Sequence, residues 1–595
     1  MTVTLALAAH VPHDAVASAE RWLYAGEDPS FTLGGNLPRV AAGDALMRAA
    51  QRLRDPYLEW IGSLSATNAS PEWWASHLAA KHPYPSLFAR LCALAAAREL
   101  ATDGTLVVCS TPALLGELRR ALPGARVEGA RLGAARYRAP AAALRAAWPA
   151  LRTFGSRAPA PLSRHLERLS PSARFALERT PGHRRRVLAT LGAQRLEGFA
   201  GDDTALLVTW ADARSIGPDG AYRDAHLGPL AAMLRERDIR VAHLPRVLLG
   251  APFRETVAAL LDSGETFAFP DLYLDEADWR DAEDRSARWA PVIADDAHVA
   301  DVPAAALARE YAAEHRRAQA DALTHDALAA GLAQAGIRPA RLIFPWEGHA
   351  WEQALTAGVH RHLPGTEVIG YDNVNFSSFA LSLYPAAAEV GLRPLPDRVV
   401  TNGPTFTEVL RASAFPADRI RTGCALRHTA LHAGEPAPRD ERFVLAACSI
   451  DAAQSLELIA KAHAAFGDEL VVKLHPASDA PRIHAGSPAA TRFEDRPIGE
   501  LLPHARLMLY TYSVVAYEAL AAGTPPVFVA SEVFLDLDQL EPFPDVGWSA
   551  RTPDELRAVA ATIAGLDREP WEERAREVVR QALRPTNDAC VDAFL

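Results

Sequence analysis

Glu469-Leu-Val-Val-Lys-Leu-His-Pro476 sets the architecture of the chain when it is read with its neighbours. A short β-branched apolar run that closes in polar residues and a proline reads as a buried parallel strand ending in a loop. A strand at 442–448 (RFVLAAC) precedes it, with a helix at about 451–466 between the two. A short helix near 498–505, a strand at 507–511, a helix at 513–522 and a strand at 526–530 follow, and helices at about 553–566 and 570–583 close the pattern. Strands alternating with helices form parallel βαβ units, hence a doubly wound sheet.

The same rhythm runs toward the N-terminus. Strands are expected at 105–111, 204–210, 240–245, 340–345, 367–371, 398–402 and 419–424. Helical patterns at 112–122, 225–237, 303–335 and 349–362 lie between them. Residues 1–9 have a short apolar stretch without a basic flank, which reads as a first strand and not a signal peptide. Residues 36–100 read as mainly helical, and their Trp60, Trp73 and Trp74 read as packing residues, with a sugar platform as the other option. Residues 133–200, rich in Pro, Arg and Ala, break the rhythm and read as an insertion with a loop at 158–161. The expected organisation is an N-terminal domain 1–426 carrying that insertion, a linker 427–441 with Gly434, Pro436 and Pro438, and a C-terminal domain 442–595.

A chain of 595 residues with 49% hydrophobic and 23% charged residues has ample core, which excludes a disordered chain and allows two to four domains. No apolar run approaches the roughly 18 residues of a spanning helix. The cysteines Cys92, Cys109, Cys424, Cys448 and Cys590 form no CxxC pair, so neither a zinc site nor a disulfide framework is expected, and a reducing cytoplasm fits. The net charge is −11, yet residues 131–200 hold 14 Arg and 3 Glu, a local +11. That segment reads either as a solvated insertion or as a surface for anionic lipid head groups, with Arg184, Arg185 and Arg186 as its densest run. The acidic remainder and the few aromatics in the basic segment argue against nucleic acid. Lysine occurs only as Lys81, Lys461 and Lys473.

Ligands of doubly wound sheets bind beyond the carboxyl ends of strands. Three polar clusters fall there. Pro345-Trp-Glu-Gly-His349 places Glu347 beside Trp346, an aromatic wall that would raise its pKa and make it a base; the other reading is a helix-start carboxylate. Glu352, Asp372 and Asn373 are nearby alternatives, and the stretch 370–378 suits sugar contact or is a polar loop. Lys473 and His475 alternate to one side of their strand, where they could neutralise a phosphate and, as imidazolium, protonate a leaving oxygen; a strand end with a snorkelling lysine is the plain alternative. Tyr510-Thr-Tyr-Ser513 turns from strand into helix, so that Thr511, Ser513 and free backbone N–H groups suit a phosphate and Glu518 suits ribose hydroxyls; a simple N-cap explains the serine equally.

The order of these motifs, with Ala521-Ala-Gly-Thr-Pro-Pro526 after the last, resembles GT-B glycosyltransferases, α/β proteins with two Rossmann-like domains facing a cleft. More narrowly it is similar to bacterial surface-carbohydrate biosynthesis proteins and to CMP-sugar-using capsular Kdo- and polysialyl-transferases. The Glu72-Trp-Trp74 region and the Phe344–Glu352 stretch carry the same resemblance. It departs from the family pattern in having Trp346-Glu347-Gly348 in place of two acids before the glycine, and Tyr512-Ser513-Val514 in place of a Ser-Ser or Ser-Thr pair. The resemblance implies that Glu347 is the catalytic base and that His475 acts on the departing phosphate. It further implies that Lys473, Pro476, Thr511, Tyr512, Ser513 and Glu518 bind the donor, and that His349, Asp372 and Asn373 bind the acceptor. The substrates implied are a nucleotide sugar, foremost a CMP-activated ulosonic acid, and a glycan or glycoconjugate acceptor, with no metal or other cofactor. The implied place of work is the cytoplasm, peripheral to the inner face of the membrane through residues 131–200. A CDP-glycerol-type polyol-phosphate transferase and a catalytically silent carbohydrate-binding or assembly protein are the alternative readings.

Overall fold

The computed structural model describes residues 2–595 except 29–30, 34–35, 83–85, 138–179, 249–251, 373–376, 433–438 and 477. Asn373 and most of the Arg-rich insertion therefore lie outside the described residues.

Three parallel sheets organise the chain. The N-terminal sheet contains β1 (Thr4–Leu7), β2 (Arg21–Ala25), β3 (Thr105–Cys109) and β4 (Arg126–Val127) in the order β2-β3-β1-β4. The middle sheet begins with β5 (Ala200–Ala211) and β6 (Arg240–Val247). A small antiparallel hairpin of β7 (His298–Val299) and β8 (Val302–Pro303) follows. The middle sheet then resumes with β9 (Arg338–Pro345), β10 (Glu367–Tyr371), β11 (Arg398–Thr401) and β12 (Ile420–Thr422), giving the order β12-β11-β10-β9-β5-β6. A parallel bridge from His243 to Phe267 adds a rudimentary strand outside β6. The C-terminal sheet has β13 (Phe443–Ala447), β14 (Leu470–Lys473), β15 (Arg492–Phe493), β16 (Ala505–Tyr510), β17 (Pro526–Val529) and β18 (Trp548–Ala550) in the order β15-β14-β13-β16-β17-β18. Numbered within its own domain this is 3-2-1-4-5-6, and the middle sheet has the same order with β12 added as a seventh strand once the Phe267 bridge stands for its third.

Both large sheets are thus Rossmann-like, and they form the GT-B layout expected from the resemblance. Their strands are short apolar runs, such as the fully buried Phe443–Ala447, because helices cover both faces of a parallel sheet.

Three features correct the expected organisation. Residues 1–426 carry two sheets, not one: β1–β4 are packed by the helices Gly43–Asn68 and Leu87–Leu100 around a core of their own, with Leu53, Tyr57 and Leu91 at its centre. A βα rhythm repeats equally in one sheet or two, so the sequence could not count them. The tail does not stay with the C-terminal domain. After the helix Arg568–Ala582, Arg584 N–H donates to Asn402 O (3.0 Å), Ala425 N–H donates to Arg584 O (2.9 Å), and Phe594 packs on Tyr371 of the middle sheet. This return brings Cys590 to Cys424, 166 positions away, and the two form a disulfide that the scattered spacing did not suggest.

Trp73 is fully buried, with its indole N–H donating to Ser65 Oγ (3.0 Å), so it belongs to the core and not to a sugar platform. Lys81, equally buried, pairs with Glu389 at 2.6 Å, and the same carboxylate accepts from Ser65 Oγ (3.0 Å) and Ala386 N–H (2.8 Å). This pair clamps the N-terminal unit to the middle one, with every charge hydrogen-bonded as a buried ion requires. Among the described residues no helix is long and apolar enough to cross a membrane.

Candidate functional site

The middle sheet presents its chemistry where β9 ends. Trp346 N–H donates to Tyr371 O (2.7 Å), continuing the sheet for one residue. The chain then turns through residues 347–349 into the helix Ala350–His362. Gly348 has φ +75°, and a Cβ there would meet Ser382 O at 2.2 Å, so the turn requires glycine. One oxygen of the buried Glu352 accepts all three backbone N–H groups of the turn, from Glu347 (3.1 Å), Gly348 (2.8 Å) and His349 (3.1 Å). Glu347 O in turn accepts from Ser382 Oγ (2.7 Å).

This scaffold holds Glu347 Oε2 against His349 Nε2 at 3.0 Å. Burial alone would raise the Glu347 carboxyl, but the His349 hydrogen bond and the positive charges of His349, His226 and Arg427 bring it below its ordinary value. Burial likewise opposes the His349 imidazolium, and the carboxylates of Glu347 and Glu352 outweigh it, raising His349. Trp346 is a core residue packed edge-on against Phe415, and the net shift of the Glu347 carboxyl is downward, opposite to the one expected from an aromatic wall. The raised carboxyl is Glu352, which burial pushes up to about 7.

The C-terminal sheet answers from across the cleft. His475, half-buried just past β14, is held below its ordinary value by burial and then by the guanidinium groups of Arg214 and Arg427. A neutral imidazole offers an N–H hydrogen bond but not the imidazolium expected from the sequence; an anion bound between the three groups would raise it again. Arg427 feels Glu347 of the middle domain and Glu518 of the C-terminal one, together with Arg214. Tyr512 feels Glu347 and Asp372 and packs on the core of the N-terminal unit. Glu347, His349, His226, Arg214, Arg427, His475, Tyr512 and Glu518 therefore share one interdomain site.

Other expected residues are placed differently. Lys473 Nζ donates to Asp495 O (2.8 Å) and ties β14 to the loop after β15. Thr511 is buried, among the described residues its hydroxyl has no hydrogen-bond partner, and it lines a small cavity with Gln454, Glu457 and Ser531. Ser513 Oγ accepts from Val515 N–H (3.3 Å), and the helix it was expected to start runs only over Val515–Ala521. Pro476 is exposed at the turn, and Asp372 is buried with its N–H on Val400 O (2.9 Å). Ser377 and Ser378, expected at a sugar or in a loop, bond Glu541 of the C-terminal domain, with Ser378 N–H at 2.7 Å and Ser377 Oγ at 3.1 Å. In the Arg-rich run only Arg185 is exposed; Arg184 lies 3.8 Å from Asp271 and over the Phe253 ring at 4.8 Å.

Three residues of the site were missed in the sequence. Arg214 stands just past β5, the first strand of its Rossmann sheet, and its guanidinium is held by Asp212 (2.9 and 2.6 Å). The motif Asp-x-Arg at that strand end was a usable signal. His226 lies in a turn and Arg427 in the short 3-10 helix Leu426–His432, and neither carried a signal. Among the described residues no group of three or more His, Cys, Asp or Glu side chains is arranged as a metal site.

No family model and no curated protein matches the chain. Among solved structures it is similar to the calicheamicin glycosyltransferase CalG4 (15% identity, 66% of this chain and 97% of that one, TM-score 0.40). It is also similar to the glycosyltransferase SnogD from Streptomyces nogalater (17%, 66% and 98%, 0.35) and to UDP-GlcNAc 2-epimerase from Neisseria meningitidis (10%, 66% and 99%, 0.38).

Proposed function

We propose that the chain is a glycosyltransferase that takes a sugar from a nucleotide-activated donor on the C-terminal sheet and passes it to an acceptor hydroxyl on the middle sheet. The observation that carries this reading is the meeting of a carboxylate–imidazole pair at the β9 end with His475, Arg214 and Arg427 across one cleft. Glu347 is ionised, and His349 fixes one of its oxygens. The other oxygen takes the acceptor proton as the hydroxyl oxygen bonds to the anomeric carbon. The bond from that carbon to the donor phosphate breaks, and the phosphate leaves with the electron pair. Arg214, Arg427 and the His475 N–H stabilise the charge that grows there.

The finer reading is a CMP-activated ulosonic acid. Its support is the motif order of the sequence and a pair of guanidinium groups able to meet both a phosphate and the sugar's own carboxylate. Work at the inner face of a membrane through residues 131–200 is part of this proposal, with Arg185 as an exposed cation and salt-sensitive binding to anionic liposomes as its test.

Incubation with CMP-Kdo, CMP-sialic acid, CDP-glycerol and UDP-glucose, with nucleotide release as the readout, tests the donor. Release of CMP from a CMP-ulosonate supports the reading. Release of CMP from CDP-glycerol makes the chain a polyol-phosphate transferase, and release of UDP names another sugar donor. Neither turnover nor nucleotide binding would leave an assembly protein.

A further inference from the structure

Beside the Glu347–His349 pair stands a cation that the proposed chemistry does not use. Arg246, near the carboxyl end of β6, lies with its guanidinium carbon 4.9 Å from the Trp210 ring centre and 4.1 Å from that of Trp351. Trp351 follows His349 by two residues on the helix that starts there. The guanidinium also donates to His325 Nε2. That histidine cannot neutralise it. His325 Nδ1 faces the backbone oxygens of Asp321 (3.2 Å) and Ala322 (3.1 Å), so Nδ1 carries the proton and Nε2 is the acceptor of a neutral ring.

No carboxylate among the described residues lies within 4.0 Å of Arg246, and its buried Nε has no partner. Asp321 and Glu352 act on it only from beyond that range, and Arg184 adds a second positive charge. A charge taken out of water is normally paired, because desolvation is costly and two aromatic faces offset only part of that cost. Arg246 remains partly open to solvent, so a partner can reach it. The two indoles stand at 85° to each other with centres 5.8 Å apart, so the guanidinium lies in an aromatic corner that restricts its orientation, and a guanidinium suits the oxygens of a carboxylate or phosphate.

We infer that Arg246 is a recognition site for an oxyanion, carboxylate or phosphate, carried by the acceptor. Trp210 and Trp351 orient the guanidinium, and Trp351 fixes its place relative to the turn that holds Glu347. The site sits on the middle sheet with the proposed base, so it selects the acceptor and not the donor; this assignment rests on the transferase reading.

The test uses simple sugars as probes and the tryptophans as reporters. Glucose, glucuronic acid and glucose 6-phosphate are titrated at constant ionic strength into the wild-type chain, Arg246→Gln and Arg246→Lys, with fluorescence as the readout. The wild type is expected to bind at least one anionic sugar about tenfold tighter than glucose, a difference of about 1.4 kcal/mol. Arg246→Gln should lose that preference and Arg246→Lys should keep part of it, which also controls for folding. Preference for glucuronic acid names a carboxylate, and preference for glucose 6-phosphate a phosphate. Equal binding of all three sugars by the wild type, or a preference that survives in Arg246→Gln, overturns the assignment. The titration needs no donor, so anion preference without transfer removes the transferase reading and keeps the site, and transfer without anion preference does the reverse.

Discussion

The middle and C-terminal sheets share a strand order but not a chemistry. At the end of β9 the middle sheet sets a hydrogen-bonded carboxylate and imidazole on a turn fastened by Glu352. The C-terminal sheet offers a neutral histidine past β14 and places most of its hydroxyls out of reach, with Thr511 buried and Ser513 bonded to its own helix. The cations that serve this side come largely from elsewhere, Arg214 from the end of β5 and Arg427 from the stretch after β12. One backbone plan thus carries a hydrogen-bonded carboxylate on one side, the base of the proposed reaction, and on the other only part of the anion site that the proposal requires. Chemistry is set by the residues at strand ends, not by the fold.

Glu347→Gln offers the strongest way to break this division of labour. It keeps the shape and removes the proton acceptor, so kcat should fall by about 10³ with the donor KM little changed. Steady-state kinetics on the donor found by nucleotide release measures both. A raised donor KM at unchanged kcat would place Glu347 on the donor side.

Glu352→Gln sharpens the comparison through stability. The Glu352 carboxyl rises from its ordinary 4.5 to about 7 in the fold, so the native chain holds this proton more tightly than the unfolded one. Its contribution to stability is therefore present at low pH and is lost as pH rises from about 4.5 through 7, to the extent of about 3 kcal/mol. The glutamine variant lacks this loss, so its urea midpoint should gain on the wild type between pH 5 and 7 and level off above that. Parallel profiles would show that Glu352 is not held as described.

His475→Ala probes the other sheet, with an expected loss of about 10² in kcat while the thermal midpoint stays near that of the wild type. Near-normal turnover would leave Arg214 and Arg427 to bind the phosphate alone.

Much of the fold was legible because buried parallel strands are continuous apolar runs. Glu367–Tyr371 occurs where expected, and Phe443–Ala447 and Arg338–Pro345 lie within two residues of the bounds read from the sequence. Two-residue strands such as Arg492–Phe493 and the weak Trp548–Ala550 left no periodic signal. Glu347 and His349 were legible as polar residues closing a strand. The direction of the Glu347 shift was not, because it depends on His349 and on Arg427, 80 positions further along the chain. Lys81 and Lys473 show the same limit. Both stand shortly before a His-Pro pair, yet one is a buried clamp to Glu389 and the other a loop tie to Asp495, and only the partners tell them apart.

The returning tail has a mechanical consequence. The chain passes from the middle domain to the C-terminal one after β12 and comes back after the helix Arg568–Ala582, and the second passage is riveted by Cys424–Cys590. Halves joined by one strand can swivel and twist about it. Two adjacent passages, fastened to each other by the disulfide and by Ala425 N–H on Arg584 O, tie the two domains like paired pins in a door and resist torsion of one sheet against the other.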